Sequence, residues 1–424
     1  MSEILKCVTC AATYDPQKIR YTCDCGSLLS LEHDEGVSAA LAETWRERRR
    51  SRRGLDQSGV WTFRERVLGV AESDIVSHPE GYTRLYARAS LTAYADVADL
   101  RFKHEGENPT GSFKDRGMTV AVTQAKRLGC RIVACASTGN TSASLAAYAA
   151  HAGLAAVVFL PDGKVSSGKL AQTLAYGAHC LAIRGDFDAA LRLVREASDK
   201  MGAYLVNSIN PFRIEGQKTI IWELLADLDW EAPDWIVVPA GNLGNTSAFG
   251  KALREAYAWG LISKMPRVAA IQAAGANPFY QSFTADFREQ KRVTAETVAT
   301  AIRIGDPVNY ARAKETILNT RGTVEEVTDD ELMHAKMLID RSGIGCEPAS
   351  ACTLAGLRKL RTRGIIAASD RVACILTGNV LKDPEVLTSE KYGADNRGRV
   401  YTIDATSDEV ARRLAELEKL TKVS

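Results

Sequence analysis

The sequence predicts an α/β protein whose parallel sheets are covered on both faces by helices. Two observations carry that expectation. From residue 98 onward, short β-branched runs alternate with alanine-rich stretches of helical spacing, and several runs end in loops rich in Gly, Asn, Ser and Thr. The run at 100–103 leads through a loop to a helix from about residue 113, 132–135 to a helix over 143–151, and 155–160 to a helix near 166–176. Later, 235–238 leads to the loop 241–245 and another helix, and 372–376 runs into Thr377, Gly378 and Asn379. In such sheets ligands gather at the carboxyl ends of strands. Residues 37–70 also carry helical spacing, and the tail over 407–424 places Val410, Leu414, Leu417 and Leu420 on one face, suited to core packing or a subunit contact.

The chain has 424 residues, 54 Lys and Arg against 52 Asp and Glu, and a net charge of +2. That length holds roughly two or three domains at about 150 residues each. The mixed composition excludes collagen-like, disordered and disulfide-scaffold classes, and the near-zero charge gives no case for a nucleic-acid or membrane partner. A basic run over 45–53 reads as a solvated helix face rather than a nucleic-acid arm. The start has no apolar signal core, so the expected location is cytoplasmic. The longest weakly polar stretch, 145–160, is broken by His151 and Gly153 and is too short to span a bilayer. A small-molecule partner is the expectation.

Ten cysteines divide unevenly. Cys130, Cys135, Cys180, Cys346, Cys352 and Cys374 sit among apolar neighbours as reduced core residues, whereas Cys7, Cys10, Cys23 and Cys25 crowd the first 25 residues. Four thiolates on two short turns can close a tetrahedral zinc site in a segment with little apolar material of its own. The second pair is C-x-C rather than C-x2-C, so a ribbon that has lost its metal is the competing reading.

Five loops carry the chemistry. In the first, over 107–117, Ser112 can cap the following helix, Gly111 permits close backbone approach, and Lys114 falls in the first helical turn. The positive helix end and partial burial there favour the neutral amine that a Schiff base requires, the alternative being a surface lysine. In the second, Ser137, Thr138, Asn140 and Thr141 surround a helix start, forming either a carboxylate cradle or a plain capping cluster. The third, with Gly241, Asn242, Leu243, Gly244 and Asn245, lets backbone N–H groups converge on one phosphate, and fits neither the dinucleotide nor the P-loop pattern. The fourth offers Asn207, Ser208 and Arg213 as donors to a second anion. The fifth puts the Thr377 hydroxyl at a strand end, suited to a ring edge.

With these loops in this order, the sequence resembles the pyridoxal-phosphate enzymes of fold type II, and within them the threonine synthases. The matching segments are E-N-P-T-G-S-F-K-D-R-G-M at 107–118, S-T-G-N-T-S-A-S at 137–144, N-S-I-N-P-F-R-I-E-G-Q-K-T at 207–219 and P-A-G-N-L-G-N at 239–245. I-Q-A-A-G-A at 271–276, A-I-R-I-G-D-P at 301–307, C-E-P-A-S-A at 346–351 and T-G-N-V-L-K-D-P at 377–384 complete the set. Asn379 stands where many members have histidine.

The resemblance implies a two-domain catalytic body, which follows the zinc-ribbon-like segment read from the cysteine spacing. The expected divisions are 1–34 for the ribbon, 35–117 for the first part of the large domain, 118–204 for a small α/β domain and 205–424 for the remainder. It further implies pyridoxal 5'-phosphate bound through Lys114, with Phe113 against it, Asn140 at its phenolic oxygen, Thr377 at its ring nitrogen and residues 241–245 on its phosphate. The implied substrate is O-phospho-L-homoserine, its carboxylate held by Ser137, Thr138, Asn140 and Thr141 and its phosphate by Asn207, Ser208 and Arg213. A homodimer, and structural zinc on Cys7, Cys10, Cys23 and Cys25, complete the expectation. Cysteate synthase, a threonine or serine dehydratase, and a non-catalytic binding protein on the same scaffold are the competing readings.

Overall fold

The computed structural model describes residues 3–33, 36–162, 167–184, 193–194, 196, 202–389 and 402–421. Residue 166, where the helix near 166–176 was expected to begin, and residues 422–424 of the expected tail helix lie outside that set. Among the described residues three sheets organise the chain. The first is antiparallel, with β1 (Glu3–Cys7) between β2 (Thr13–Tyr14) and β3 (Leu29–His33). The second has six strands in the order β12-β11-β10-β13-β5-β4, formed by β4 (Leu85–Tyr86), β5 (Asp99–His104), β10 (Trp235–Pro239), β11 (Arg267–Ala273), β12 (Thr323–Val327) and β13 (Arg371–Leu376). All neighbours in it are parallel except the edge strand β4, which runs antiparallel to β5.

The third sheet is parallel throughout, in the order β8-β7-β6-β9, from β6 (Ile132–Ala136), β7 (Ala155–Pro161), β8 (His179–Ile183) and β9 (Tyr204–Leu205). Helices alternate with these strands as the sequence pattern requires. They are α1 (Ala39–Ser51), α2 (Ala89–Ala95), α3 (Lys114–Arg127), α4 (Asn140–Ala152), α5 (Ser167–Ala175), α6 (Pro211–Asp227), α7 (Gly244–Ala258), α8 (Pro278–Thr284), α9 (Tyr310–Asn319), α10 (Asp329–Arg341) and α11 (Pro348–Thr362). Met1–Asp383 form one unit, and Pro384–Ser424 form a second that contains α12 (Glu385–Thr388) and α13 (Ser407–Thr421). Within the second unit Val410 and Leu414 on α13 are exposed, and Arg412 pairs with Glu409 and Glu416 at 2.6 and 2.9 Å.

The helical spacing over 37–70 resolves into α1 followed by two tight 3-10 turns, Gly54–Gln57 and Trp61–Arg66. The α-helix stops because Arg52 takes a left-handed cap at φ 48°, its N–H returning to the Arg48 carbonyl. The basic run is solvated only in part: Arg46 and Arg50 are exposed, whereas Arg48 and Arg49 are mostly withdrawn from solvent and ion-paired, with Glu65 at 2.5 Å and Asp227 at 2.6 Å. The apolar side of α1 presents buried Trp45 to Trp222 and Phe63, with ring centroids 5.9 and 5.0 Å away. No helix among the described residues is long and apolar enough to cross a membrane.

Two packing features fix where the site lies. Helices α3 and α6 touch through glycines: a Cβ on Gly216 would fall 1.7 Å from the Arg116 carbonyl oxygen, and one on Gly117 would fall 3.1 Å from that of Arg213. Beside this crossing, the buried Arg116 guanidinium reaches Glu105 at 2.6 Å and Glu223 at 2.9 Å, while Lys103 meets Glu223 at 2.7 Å. Glu223 also accepts the Tyr82 and Thr83 N–H groups at 2.7 and 2.9 Å. Its two cationic neighbours hold its pKa well below the usual carboxylate range against the opposing effect of burial. Removing that carboxylate leaves Arg116 with Glu105 and Lys103 with Asp227 as their remaining partners, so Glu223→Ala should lower unfolding free energy by about 3 kcal/mol, read by denaturant titration.

Candidate active site

The site assembles where the carboxyl ends of the six-stranded and four-stranded sheets carry their loops. Lys114 opens α3, and its preceding turn is stitched to the end of β13: the Phe113 N–H donates to the Thr377 carbonyl at 3.0 Å and the Asn379 N–H to that of Gly111 at 2.9 Å. Gly111 needs its left-handed φ of 83° to make the turn. The expected cap by Ser112 is weak, since Phe113 holds the cap position with helical geometry and the Ser112 hydroxyl accepts from the Lys114 N–H at 3.4 Å. Asp115 fastens the turn instead. It accepts from the Thr110 N–H and hydroxyl at 2.7 and 2.6 Å and from the Ser144 hydroxyl on α4 at 2.6 Å.

The Lys114 amine lies 4.2 Å from the centroid of the Phe113 ring. Removal from water, then the nearby Arg213 guanidinium, bring its pKa down to about 7, while Glu347 pulls the other way. Glu347 is the residue that sequence reasoning passed over. Buried at the start of α11, it accepts from Asn140 Nδ2 at 2.9 Å and from the Thr377 hydroxyl at 2.8 Å, so it joins two of the expected cofactor contacts. Burial raises its pKa. The C-E-P-A-S-A segment that contains it was the available signal. Ser350, from the same segment, lies 3.0 Å from the Thr377 hydroxyl and accepts the Thr377 and Gly378 N–H groups at 2.8 and 3.1 Å. Lys382 spans to α5, donating to Gln172 at 2.7 Å.

The loop between β10 and α7 is built around Leu243, whose left-handed φ of 61° makes it the helix cap without any side-chain cap bond. Successive N–H groups at such a helix start form an anion nest. Gly241 is packed so closely that a Cβ would fall 2.8 Å from Ile302 Cα. Asn242 secures the loop: its side chain accepts from the Val308 N–H at 2.9 Å and donates to the Ser208 hydroxyl at 3.2 Å. Asn245 Oδ1 and the Thr246 hydroxyl are buried with no partner.

Ser137, Thr138, Asn140 and Thr141 lie half-buried at the β6–α4 junction, as the sequence places them. Ser137 Oγ accepts from the Gly139 N–H at 3.3 Å. Asn207 sits differently from a free donor. Its amide is clamped to the Ala136 backbone, accepting from N–H and donating to C=O at 3.0 Å each, which ties the loop after β9 to the end of β6. Arg213 on α6 is buried, gives one N–H to the Val206 carbonyl at 3.0 Å, and leaves Nε with no partner.

Residues 76–378 match the family model described as pyridoxal-phosphate dependent enzyme. A threonine synthase of Methanocaldococcus jannaschii is 47% identical over 385 residues, which cover 90% of this chain and 93% of that protein. The chain belongs to the threonine synthase family of pyridoxal-phosphate-dependent enzymes. Threonine synthase 2, chloroplastic, of Arabidopsis thaliana is 42% identical, with 87% of this chain and 74% of that one covered. The crystal structure of Escherichia coli threonine synthase superimposes with a TM-score of 0.67 over 98% of this chain and 100% of that one; at 19% identity it supports the fold alone.

The residues present fit this family's cofactor. A lysine with a pKa near neutrality opens α3, a glycine-lined nest with an uncapped helix start suits a phosphate, and unpartnered polar atoms lie next to that nest. Because the Lys114 amine loses its proton around pH 7 instead of near the ordinary 10.5, cofactor capture by cofactor-stripped protein should speed up with pH and level off just above 7. Stopped-flow absorbance of the lysine-bound cofactor measures that profile, and Lys114→Ala should show no such band.

Proposed function

We propose that this enzyme converts O-phospho-L-homoserine and water to L-threonine and phosphate. The observation that carries the substrate choice is Arg213: a buried guanidinium with an unpartnered Nε, beside the Lys114 amine. Its pKa is lowered to about 10 by burial, so the cation sits in a place where an anion would relieve the loss of water. A dehydratase acting on serine or threonine has no substrate phosphate to pair with it.

When bound, pyridoxal phosphate supplies an electron sink for negative charge at the carbon beside the substrate amine. The chain supplies the rest. Lys114 would hold the cofactor and, as a free amine beside the bound substrate, would take the proton from the α carbon and return protons later. Ser137, Thr138, Asn140 and Thr141 hold the substrate carboxylate at the start of α4, where the helix dipole favours negative charge. Arg213 and Ser208 receive the phosphate, and Asn207 holds their loop against β6. Keeping the departing phosphate in place lowers the barrier to its loss and orients the water that replaces it at the β carbon.

Residues 241–245 would hold the cofactor phosphate, Phe113 would lie along its ring and Asn140 would meet its phenolic oxygen. Thr377 would face the ring nitrogen, with its hydroxyl oriented by Glu347 and Ser350. A neutral hydroxyl there does not force a charged ring, which suits elimination and replacement. The expected small domain over 118–204, the cytoplasmic location and the homodimer belong to the same reading.

Purified holoenzyme given O-phospho-L-homoserine should release threonine and phosphate in equal amounts, measured by amino-acid chromatography and a phosphate assay. Cysteate from O-phosphoserine and sulfite, with no threonine from phosphohomoserine, would overturn the proposal in favour of cysteate synthase. Arg213→Ala should keep the visible cofactor band while kcat/KM for phosphohomoserine falls about 100-fold or more, consistent with roughly 2–5 kcal/mol for truncating one partner of a buried charge pair.

A further inference from the structure

The N-terminal sheet ends in a tip with almost no core of its own. Among residues 8–28 of the tip and its connections, Pro16 and Cys23 are the buried ones, and the remainder are half-buried or exposed. Apolar packing is concentrated at the base of this sheet, through Leu5, Leu29 and Leu31, and reaches the tip only through Pro16, Cys23 and the half-buried Ala12, Tyr14, Tyr21 and Leu28. The four Sγ atoms of Cys7, Cys10, Cys23 and Cys25 lie within 4.8 Å of one another. Cys7 and Cys25 are 3.6 Å apart and Cys10 and Cys23 are 3.5 Å apart, well beyond a disulfide bond of about 2.05 Å. A tetrahedron with Zn–S bonds of about 2.3 Å has edges of about 3.8 Å.

The backbone is folded to suit. The Thr9 and Cys10 N–H groups both donate to Cys7 Sγ at 3.4 Å, stabilising charge on that sulfur. Each cysteine pair closes a knuckle whose next residue is left-handed, Ala11 at φ 59° and Gly26 at φ 82°. The Cys7 N–H returns to the Ala12 carbonyl and the Cys23 N–H to the Ser27 carbonyl, both at 2.8 Å. The C-x-C pair thus makes the same turn with one residue fewer, so its spacing does not open the site. A pair of structural disulfides would have no use for N–H groups directed at sulfur.

The loaded tip would do more than fold itself. Tyr21, between the two knuckles, accepts the Leu205 N–H at 2.7 Å, two residues before Asn207. Arg312 is buried on α9 and donates to the Leu29 carbonyl of β3 and to Asn309 Oδ1 at 3.1 Å; Asn309 Nδ2 in turn donates to the Asn242 carbonyl at 3.2 Å and to that of Ser208 at 3.4 Å. Both anion loops are therefore tied to the ribbon by hydrogen bonds to its strand and its tip.

We propose that Cys7, Cys10, Cys23 and Cys25 hold one zinc ion, and that the metal-loaded ribbon braces the 205–213 and 241–245 loops against which substrate and cofactor phosphates seat. The bracing step rests on the phosphate assignments above; the metal step does not. All four ligands bind as thiolates, so loading Zn2+ releases their thiol protons to solvent.

Metal analysis by inductively coupled plasma mass spectrometry, on holoenzyme purified under reducing conditions, should give about one zinc per chain. Cys10→Ser/Cys25→Ser should give close to none. Metal-free protein with four titratable thiols, or protein carrying two disulfides, would overturn the metal site. Exchange with Co2+ guards against a variant that simply misfolds: tetrahedral thiolate cobalt gives visible bands to the red of the cofactor, and their absence from intact protein would also overturn it.

For the brace, Tyr21→Phe leaves the thiols untouched and should keep zinc and the cofactor band while raising KM for O-phospho-L-homoserine several-fold at little change in kcat. An unchanged KM in a zinc-loaded Tyr21→Phe protein would overturn the coupling and leave the metal result standing. Failure of the proposed activity itself would appear separately, as no threonine from the unmodified enzyme.

Discussion

The Arg116 guanidinium between Glu105 and Glu223 is the interaction on which the rest of the site depends. It reaches one carboxylate on the turn after β5 and another on α6, and Glu223 extends the contact to the backbone at Tyr82 and Thr83. Burying these charges is expensive, and a well-packed apolar substitute would match the stability. What the ionic version adds is placement: a planar fork with two bidentate partners has one comfortable geometry. Arg116 stands two residues after Lys114, and α6 carries Arg213, so the fork sets the distance between the amine and the guanidinium. The glycine crossing at Gly117 and Gly216 brings the two helices close enough for that distance to matter.

The parallel strands were legible because buried parallel sheet demands apolar β-branched runs, and 235–238 and 372–376 are such runs. The short antiparallel strand Leu85–Tyr86 was not, since two residues carry no period. The site loops stood out because glycine and small polar residues at strand ends have few roles other than turning the backbone or meeting a ligand. Glu347 and Asp115 escaped for the opposite reason. A carboxylate in a sequence looks like any surface acid, and only the fold reveals that Glu347 is enclosed by Asn140 and Thr377, or Asp115 by Thr110 and Ser144. Asn207 was legible as a polar group near an anion loop, but which partners its amide would take depends on β6 and β9 being neighbours.

Around Lys114 the electrostatics are a balance between two near charges. Arg213 and the loss of water favour the neutral amine, while Glu347 favours the ammonium. Burial raises the Glu347 pKa, which weakens its hold on a lysine proton, and the Asn140 and Thr377 hydrogen bonds act in the other direction by stabilising the carboxylate. The amine is left near neutrality, where it can both accept and return a proton without a large free-energy step.

Neutral amides do the positioning that charges would spoil. Asn207 clamps the 205–213 loop to Ala136, Asn242 joins the other loop to Val308 and Ser208, and Asn309 links both. Each of these contacts could in principle be made by an ion pair, but on the proposed assignments a carboxylate there would compete with substrate for Arg213 and repel the incoming phosphates. A lysine or arginine would bind them too tightly or in the wrong place. Amides hold a loop through two directional bonds and contribute almost no net field. The division of labour is then clear: the framework charges are cancelled in pairs, the loops are fastened by neutral groups, and the guanidinium of Arg213 keeps Nε without a partner.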